Sequence, residues 1–385
     1  MQSVPFCRPG SVILLLWLWM VPALAYTDAR GEEREKPKGE PFLAEQTMVI
    51  ATATLQPLTT ILNTIEDQKI VYVGEVHDNF AHHAVQLAVI KSLYAREKKL
   101  AIGMEMFQRP FQPAIDAYIA GAISEREFLQ QTEYFSRWGF DFRLYKPILD
   151  FAHAERIPVV ALNVRKEIVK KISNQGLESL SEAERAELPA EMDFSDNTYR
   201  ERLYQVYQRH REFQEEEKPF THFYQSQIAW DESMAQAIAD FLAQHPDYQM
   251  VVLAGNGHLV YGSGIPQRVF RRTGYPYVVI LNEAEVAQDV ADYIVFPQPM
   301  ESPSSPKLMV FLREEEGRVM ITGFPQESVS QKAGLAVGDV ILALDNVPIR
   351  TIADVRLDLL YRQKGDTVTV RVLREETEME FQVSL

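Results

Sequence analysis

Two copies of a Gly-x-x-His motif constrain this chain more than any other feature, because each copy follows directly on a short apolar run. The motifs are Gly74-Glu75-Val76-His77 and Gly255-Asn256-Gly257-His258. Such an apolar run predicts a buried parallel strand, and glycine allows the chain to turn where the strand ends. Open α/β sheets bind their ligands at the carboxyl ends of these strands. The motifs therefore predict that two imidazoles, distant in sequence, meet at one site.

The region from residue 46 to residue 296 alternates apolar runs with amphipathic stretches. We predict strands at residues 69–73, 100–104, 158–162, 249–254 and 277–281, with helices between them. Strands that alternate with helices form βαβ units, so this region is predicted to be an α/β domain with a mostly parallel sheet and flanking helices. Residues 173–217 contain no strand candidate, and we expect them to form a helical insertion over the sheet edge.

The first 25 residues have the pattern of a secretory signal peptide. Arg8 is followed by an apolar stretch from Val12 to Val21 and then by the small-residue pattern Ala23-Leu24-Ala25. We expect cleavage after this pattern, a polar tether at residues 26–45 and a periplasmic or secreted location in the cell envelope; retention as an anchor is the alternative. Cys7 is the only cysteine, so any transition metal in the mature chain would bind nitrogen and oxygen atoms.

The overall charge limits the classes of partner. The chain has 39 Lys and Arg against 54 Asp and Glu, which gives a formal net charge of −15. Nucleic acids and anionic membranes are themselves negative, so this balance argues against a general surface for either.

Side chains that bind metals or transfer protons lie at the ends of four predicted strands. They are Glu75, His77 and Asp78, then Glu105, then Asn163 and Arg165, and finally Asn256 and His258. Imidazoles and carboxylates without a thiolate suit Zn²⁺, Mn²⁺ or Fe, with His77, Glu105 and His258 as metal ligands. A carboxylate that stays off the metal, Glu75 or Glu105, would act as general base, which predicts a metal-dependent hydrolase.

A purely structural role for these residues stays open. The glycines would then form tight turns, and each histidine would cap a helix or bond a carbonyl. His82-His83 lie near His77 in sequence, but adjacent helical residues point in different directions, which disfavours a shared ligand role. Aromatic residues crowd the stretches 134–145 and 194–213. Such stripes are typical of a core, and they would also line a flat hydrophobic cofactor such as haem, whose iron accepts tyrosinate as a ligand.

The last part of the chain changes character after a Pro- and Ser-rich linker at residues 297–306. Residues 307–385 are β-rich, and the stretch 324–345, with Ala333-Gly334-Leu335 and Gly338-Asp339, resembles a PDZ domain of the HtrA type. The resemblance implies that an extended peptide or protein C-terminus adds as a strand. It places the carboxylate-binding loop at Leu308-Met309-Val310-Phe311, although the chain has no glycine there. A packing or dimerisation unit is the alternative.

The α/β region resembles the ChaN-like haem-binding uptake family of the Tiki superfamily over roughly residues 49–281. The matching motifs are Val73-Gly74-Glu75-Val76-His77-Asp78-Asn79, His82-His83-Ala84-Val85-Gln86, Gly103-Met104-Glu105-Met106-Phe107, Trp138 with Tyr145 and Pro147, Ser226-Gln227 with Trp230-Asp231-Glu232-Ser233-Met234-Ala235, and Leu253-Ala254-Gly255-Asn256-Gly257-His258. The resemblance implies a parallel-sheet fold, a cell-envelope location, haem bound through a tyrosine, and a role in iron acquisition. Related branches include metalloproteases and erythromycin esterases, and their catalytic or metal-binding set matches His77, Glu105 and His258, with Glu75 beside it.

The sequence therefore predicts a cell-envelope haem- or iron-binding protein with a PDZ peptide-binding module. Within it, Tyr145 is our candidate for the haem ligand, and Trp138, Asn163, Arg165 and Asn256 are candidate cofactor contacts. The metal-dependent hydrolase is the alternative, so whether the chain is an enzyme stays open, as does a scaffold role. The expected partners are haem or another small molecule and a peptide; a homodimer is compatible with both interpretations.

Overall fold

The computed structural model of the protein describes residues 49–96, 99–211, 218–303 and 305–385. The predicted signal peptide at residues 1–25 and the polar tether at residues 26–45 lie outside the described residues. No helix in the described ranges is both long enough and apolar enough to cross a membrane.

A six-stranded parallel sheet forms the centre of the larger domain. Its strands are β1 (Ile70–Glu75), β2 (Leu100–Gln108), β3 (Val159–Asn163), β4 (Gln249–Gly255), β5 (Tyr277–Asn282) and β6 (Tyr293–Val295), in the order β3-β2-β4-β1-β5-β6. This confirms the predicted fold class. The strands β1 and β4, which end in the two motifs, are neighbours, and Glu75 lies opposite Gly255. Adjacency of these strands is what brings the motifs together.

Helices cover both faces of the sheet. In chain order they are α1 (Leu58–Thr64), α2 (Phe80–Tyr94), α3 (Gln112–Ile119), α4 (Glu125–Gln131), α5 (Tyr134–Arg137), α6 (Lys146–Glu155), α7 (Lys166–Gln175), α8 (Glu182–Arg185), α9 (Asn197–Arg211), α10 (Phe220–Gln244) and α11 (Ile265–Thr273). Within residues 173–211 the structure is helical and contains no strand, in agreement with the predicted insertion.

The apolar residues of β1 alternate between two cores, as the period of two of a strand requires. Val71 and Val73 belong to the core under α2 and α6, whereas Ile70 and Tyr72 belong to the core under α10 and α11. Each fully buried aliphatic side chain stabilises the fold by roughly 1.5–3 kcal/mol relative to an exposed one. Burial on both faces explains why the strand is apolar throughout, and it leaves only the strand end for polar chemistry.

The C-terminal domain is a small antiparallel sheet with two helices. The strands are β7 (Phe311–Glu315), β8 (Arg318–Gly323), β9 (Val340–Leu344), β10 (Val347–Pro348), β11 (Thr367–Arg374) and β12 (Thr377–Ser384), ordered β12-β11-β9-β8-β7 with β10 on β9. Its helices are α12 (Val329–Lys332) and α13 (Ile352–Leu360). Thr351 and Asp354 form a capping box that starts α13. The domain has its own apolar core, but α13 also contributes Leu357 and Leu360 to the core of the larger domain.

Candidate functional site

The two motif histidines line one cavity at the carboxyl end of the sheet. The cavity has a volume of about 380 Å³, and His77, Glu105 and His258 all lie on its wall. A recess of this size, lined by apolar side chains with a few polar groups, is within the range of small-molecule sites. The geometry on which the sequence-based site depends is therefore present in the structure.

Glu75 anchors the first histidine from behind the cavity. Its Oε1 accepts hydrogen bonds from His77 Nδ1 and from the Tyr145 hydroxyl, both at 2.8 Å. Its Oε2 accepts from Gln86 Nε2 at 2.7 Å and lies 3.1 Å from His83 Nδ1. Burial alone would raise the pKa of Glu75, but the hydrogen bonds from His77 and His83 outweigh it and lower the pKa to about 2. Glu75 is therefore ionised and acts on a ligand only through His77.

His77 presents its second nitrogen to the cavity. Because Nδ1 donates to Glu75, Nε2 is the nitrogen left for a ligand, and the side chain is 29% exposed. Burial lowers the pKa of His77, but the hydrogen bond to Glu75 and the charge of Glu105 exceed this effect and raise the pKa above its usual value. Trp138 and Phe140 pack on the ring, with centroid distances of 4.7 and 5.2 Å.

His258 lies between two carboxylates. Its Nδ1 is 2.6 Å from Asp231 Oδ1, and its Nε2 is 3.4 Å from Glu105 Oε1. Burial opposes protonation, but the charges of Glu105 and Asp231 prevail and raise the pKa of His258 well above its usual value. Asp231 in turn accepts a hydrogen bond from the Tyr199 hydroxyl. His258 is thus an imidazolium in an ion-pair network, with neither nitrogen free.

Glu105 connects the two motifs. Its Oε2 accepts a hydrogen bond from the backbone N–H of Gly255 at 2.7 Å, so the second motif holds the carboxylate by its main chain. Burial raises the pKa of Glu105, but the neighbouring His258 and the Gly255 N–H lower it below its usual value overall. Glu105 is ionised and faces the cavity.

The motif glycines are needed for space rather than for a turn, which corrects the sequence-based explanation. Gly255 has φ −58°, and Gly74 is not among the glycines with positive φ. A Cβ on Gly255 would lie 2.9 Å from His77 Cε1, and one on Gly74 would lie 2.2 Å from Asn256 Oδ1. The first glycine of each motif therefore makes room for a side chain of the other motif.

The remaining cavity wall combines aromatic and cationic side chains that the sequence did not single out for this role. Trp230 packs edge-on against His258 at 5.8 Å between centroids. Arg137 is paired with Glu133 and Glu167 beside the cavity, and Lys166 donates to the Ser136 carbonyl. The other lining residues are Met106, Gln108, Asn163 and Val164.

Of four candidate cofactor contacts, Tyr145, Arg165 and Asn256 do not line the cavity, whereas Asn163 does. The Tyr145 hydroxyl is buried and donates to Glu75, so it cannot reach the cavity in this conformation. Arg165 pairs with Glu187. Asn256 donates to the Asn282 carbonyl at 2.8 Å. Asn163 lines the cavity, but its amide donates to the Glu105 carbonyl at 3.1 Å. The rule that ligands bind at the carboxyl ends of parallel strands predicts the edge of the sheet. It does not predict the direction in which each side chain points.

Both ring nitrogens of His82 and of His83 have partners within the protein. His82 Nδ1 accepts from the Val76 N–H at 3.0 Å, and its Nε2 is 3.2 Å from Glu283. His83 bridges Glu75 and the His77 carbonyl. Both histidines therefore hold the loop that carries His77.

Asp231 contacts His258, but the sequence analysis gave it no role beyond its place in a family motif. It is fully buried on α10, where its neighbours Ile228, Ala229 and Met234 are buried apolar residues. An acidic residue among apolar helix positions is costly unless it is paired, and that was the available signal.

The predicted metal ligands do not form a metal site. Among the described residues, no group of three His, Cys, Asp or Glu side chains is arranged to hold a metal ion. The reason is that Asp231 and Glu105 already face both nitrogens of His258, while Glu75 takes one nitrogen of His77. His77, Glu105 and His258 share a cavity without forming a coordination set.

The predicted peptide-binding loop lies at the start of the edge strand β7. Leu308 is buried, and its carbonyl accepts from the Ser330 hydroxyl. Met309 has φ 54°, and its carbonyl accepts from Ser328 at 2.6 Å. Val310 packs on the domain core, whereas Phe311 is 56% exposed. In the described sheet β7 pairs only with β8, so its other edge is open to an added strand.

Comparisons with known proteins give two family matches. Residues 61–269 match the model of the haem-binding uptake family, Tiki superfamily, ChaN, and residues 306–385 match a PDZ domain. A search of curated proteins finds no match.

Among solved structures, one described as cofacial haem binding to ChaN of Campylobacter jejuni is 17% identical, with a TM-score of 0.51, and the match covers 62% of this chain and 91% of that one. The HtrA-type protease AlgW with a decapeptide is also 17% identical, with a TM-score of 0.20, and the match covers 21% of this chain and 28% of that one. The first likeness agrees with the parallel-sheet fold of the larger domain.

Proposed function

The chain belongs to the haem-binding uptake family of the Tiki superfamily, ChaN, and we propose that it binds haem at the cavity between His77 and His258. The observation that supports this most directly is that the family match, residues 61–269, contains the strands β1 to β4 and every residue that lines the cavity. The proposal extends to a cell-envelope location and a role in haem or iron uptake, which rest on the signal-peptide pattern of residues 1–25 and on the family.

The lining residues fit one edge of a haem group. Trp138, Phe140 and Trp230 offer flat apolar surface, and Arg137 and Lys166 offer cations for propionates. His77 Nε2 is the imidazole nitrogen available to iron, since Glu75 orients the ring through Nδ1. When bound, haem would supply an iron centre whose properties depend on this ligand. Ligation by Tyr145 would instead require its hydroxyl to leave Glu75.

The C-terminal domain supports a second binding activity. It matches a PDZ domain, and the open edge of β7 is the surface on which an extended peptide would add as a strand. We therefore propose a protein that binds haem and a peptide in one chain. A homodimer stays a prediction.

Haemin titration of the purified full-length chain tests the haem proposal. We expect a saturable Soret band, with His77→Ala weakening haemin affinity about tenfold or more because it removes the available nitrogen. His245→Ala, at an exposed histidine beyond the end of α10, is the matched control and should bind as the wild type does. A spectrum that changes linearly with haemin and never saturates would exclude a specific site.

A hydrolase is the second candidate, although the family comparisons do not favour it. The observation that supports it is that two imidazoles, each bonded to a carboxylate, line the same cavity. His77 Nε2 would accept a proton from water while His258 and Glu105 provide the electrostatic environment. Hydrolysis of p-nitrophenyl acetate that is abolished in His77→Ala and retained in His245→Ala would support it. Equal rates in both variants would reject it.

A further inference from the structure

The helix that forms one side of the peptide groove is also the helix that attaches the C-terminal domain to the haem-site domain. Along α13, Val355 and Leu359 belong to the core of the C-terminal domain. Leu357 and Leu360 instead belong to the core of the larger domain, together with Tyr134. With residues buried on two faces, α13 cannot shift against one domain without disturbing its packing on the other.

Polar contacts fix α13 to the segment 138–145. Arg356 Nη1 donates to the Gly139 carbonyl at 3.0 Å. At the carboxyl end of the helix, Arg143 donates to the carbonyls of Leu360 and Arg362, the second at 3.2 Å. A cation at this end favours the helix, because the last carbonyls have no partner inside it.

The same segment forms the wall of the haem site. Gly139, which Arg356 bonds, stands between Trp138 and Phe140, and both of these rings pack on His77. Trp138 Nε1 also donates to the Tyr145 hydroxyl at 3.2 Å, and Tyr145 donates to Glu75. One peptide unit therefore separates the helix contact from the aromatic wall.

A peptide that adds to β7 must contact α13. The two elements meet where the Ile352 N–H donates to Glu314 Oε2 at 2.9 Å. A strand inserted beside β7 would compete with this contact at the amino end of α13. The peptide would thus act on a helix that is bonded, through Arg356 in its middle, to Gly139 in the wall of the haem site.

From this contact chain, and resting on the proposed function, we propose that peptide binding in the groove between β7 and α13 changes the affinity of the cavity for haem. The partner is an extended peptide, and α13 with Gly139 is the connection. Because binding linkage is reciprocal, haem changes the affinity for the peptide by the same factor. A factor of about 5 or more is expected, which is the lower end of typical coupling between sites.

The test uses the full-length chain, haemin, and one synthetic heptapeptide with a free carboxylate, chosen as the tightest binder from a random library. Haemin affinity is measured by Soret titration with and without saturating peptide. We expect a shift of about fivefold or more in the wild type and in Arg371→Ala, an exposed arginine on β11. In Arg356→Ala each ligand alone should bind within about twofold of the wild type, and the coupling should fall towards unity. A shift below twofold in the wild type, or an undiminished shift in Arg356→Ala, would overturn the proposal.

Hydrogen exchange separates failure of the coupling from failure of the haem proposal. Peptide alone should change amide exchange in residues 138–145, whether or not haemin binds. If haemin does not bind but this change occurs, the connection stands and the haem proposal fails. If haemin binds and the peptide alters neither exchange nor affinity, the connection fails and the haem proposal stands.

Discussion

The two Gly-x-x-His motifs have the same pattern and the same place in the sheet, yet they produce two different histidines. His77 has one carboxylate partner and one nitrogen towards the cavity, whereas His258 has a carboxylate at each nitrogen. The difference arises outside the motif spacing, because Glu75 is inside the first motif while Asp231 comes from α10. A repeated motif thus defines where an imidazole stands, and its neighbours define its charge and availability.

Removal of the carboxylate behind each histidine should reduce stability more than any other change considered. The size of the loss should differ between the two motifs. We expect Glu75→Ala to cost roughly 3–5 kcal/mol in the free energy of unfolding, because its loss leaves the buried His83 and Gln86 and the partly exposed His77 without their anion. Asp231→Ala should cost less, since two partners, His258 and Tyr199, lose their anion there. Urea unfolding measures both.

Glu285→Gln, at an exposed position, is the control for this comparison and should stay within about 0.5 kcal/mol of the wild type. Equal losses at Glu75 and Asp231 would show that the two networks are equivalent.

The pH dependence of stability should separate the contributions of Glu75 and His258 by direction. The folded-state pKa of Glu75 is lowered to about 2, so its contribution is complete above its ordinary value and is lost as pH falls from about 4.5 towards 2. The loss should be roughly 3 kcal/mol. The pKa of His258 is raised, so its contribution is complete below about 6.5 and is lost as pH rises through the folded pKa.

Unfolding should therefore be measured from acid to alkaline pH. The wild type should lose stability at acid pH, and Glu75→Gln should not show this loss. The wild type should also lose stability at alkaline pH, and this loss should be smaller in Asp231→Asn. If Asp231→Asn loses as much stability at alkaline pH as the wild type, His258 is not the group responsible.

Tyr145 donates to Glu75 and Tyr199 donates to Asp231, so the two tyrosines allow a comparison of the two networks at the level of one hydrogen bond. Tyr145→Phe and Tyr199→Phe each remove a hydroxyl from an anion, and each should cost about 1.5–3 kcal/mol. Haemin affinity should change only in Tyr145→Phe, because that hydroxyl adjoins the His77 network. An equal change in Tyr199→Phe would contradict the separation of the two networks.

Substitution of the motif glycines by alanine should change stability and haemin affinity least. Gly74→Ala should cost about 1–3 kcal/mol, because its Cβ would meet both Asn256 and Leu281, whereas the neighbour of Gly255 is the partly exposed His77 ring, which can move. Gly255→Ala should therefore disturb haemin binding more than stability. Gly257→Ala, with no atom within 4 Å of its Cβ, is the matched control. Thermal unfolding and haemin titration of the three variants check this order.

Prediction from sequence was most accurate where periodicity was strong. The strands β1 to β5 were found because continuous apolar runs distinguish strands that are buried on both faces. The strand β6 was missed, since it has three residues of intermediate burial. Among the candidate site residues, His77, Glu105 and His258 line the cavity, while Arg165 and Asn256 turn away to Glu187 and Asn282.

The sequence by itself determined the parallel sheet, the edge at which the polar side chains gather and the presence of a second β-rich domain, because apolar periodicity and strand ends are local properties. Only the tertiary structure decided that β1 and β4 are neighbours, that Asp231 reaches His258, and that α13 bonds the wall of the cavity. Those facts depend on contacts between residues far apart in the chain. Protonation follows from such contacts, since the energy of a buried charge depends on the groups around it.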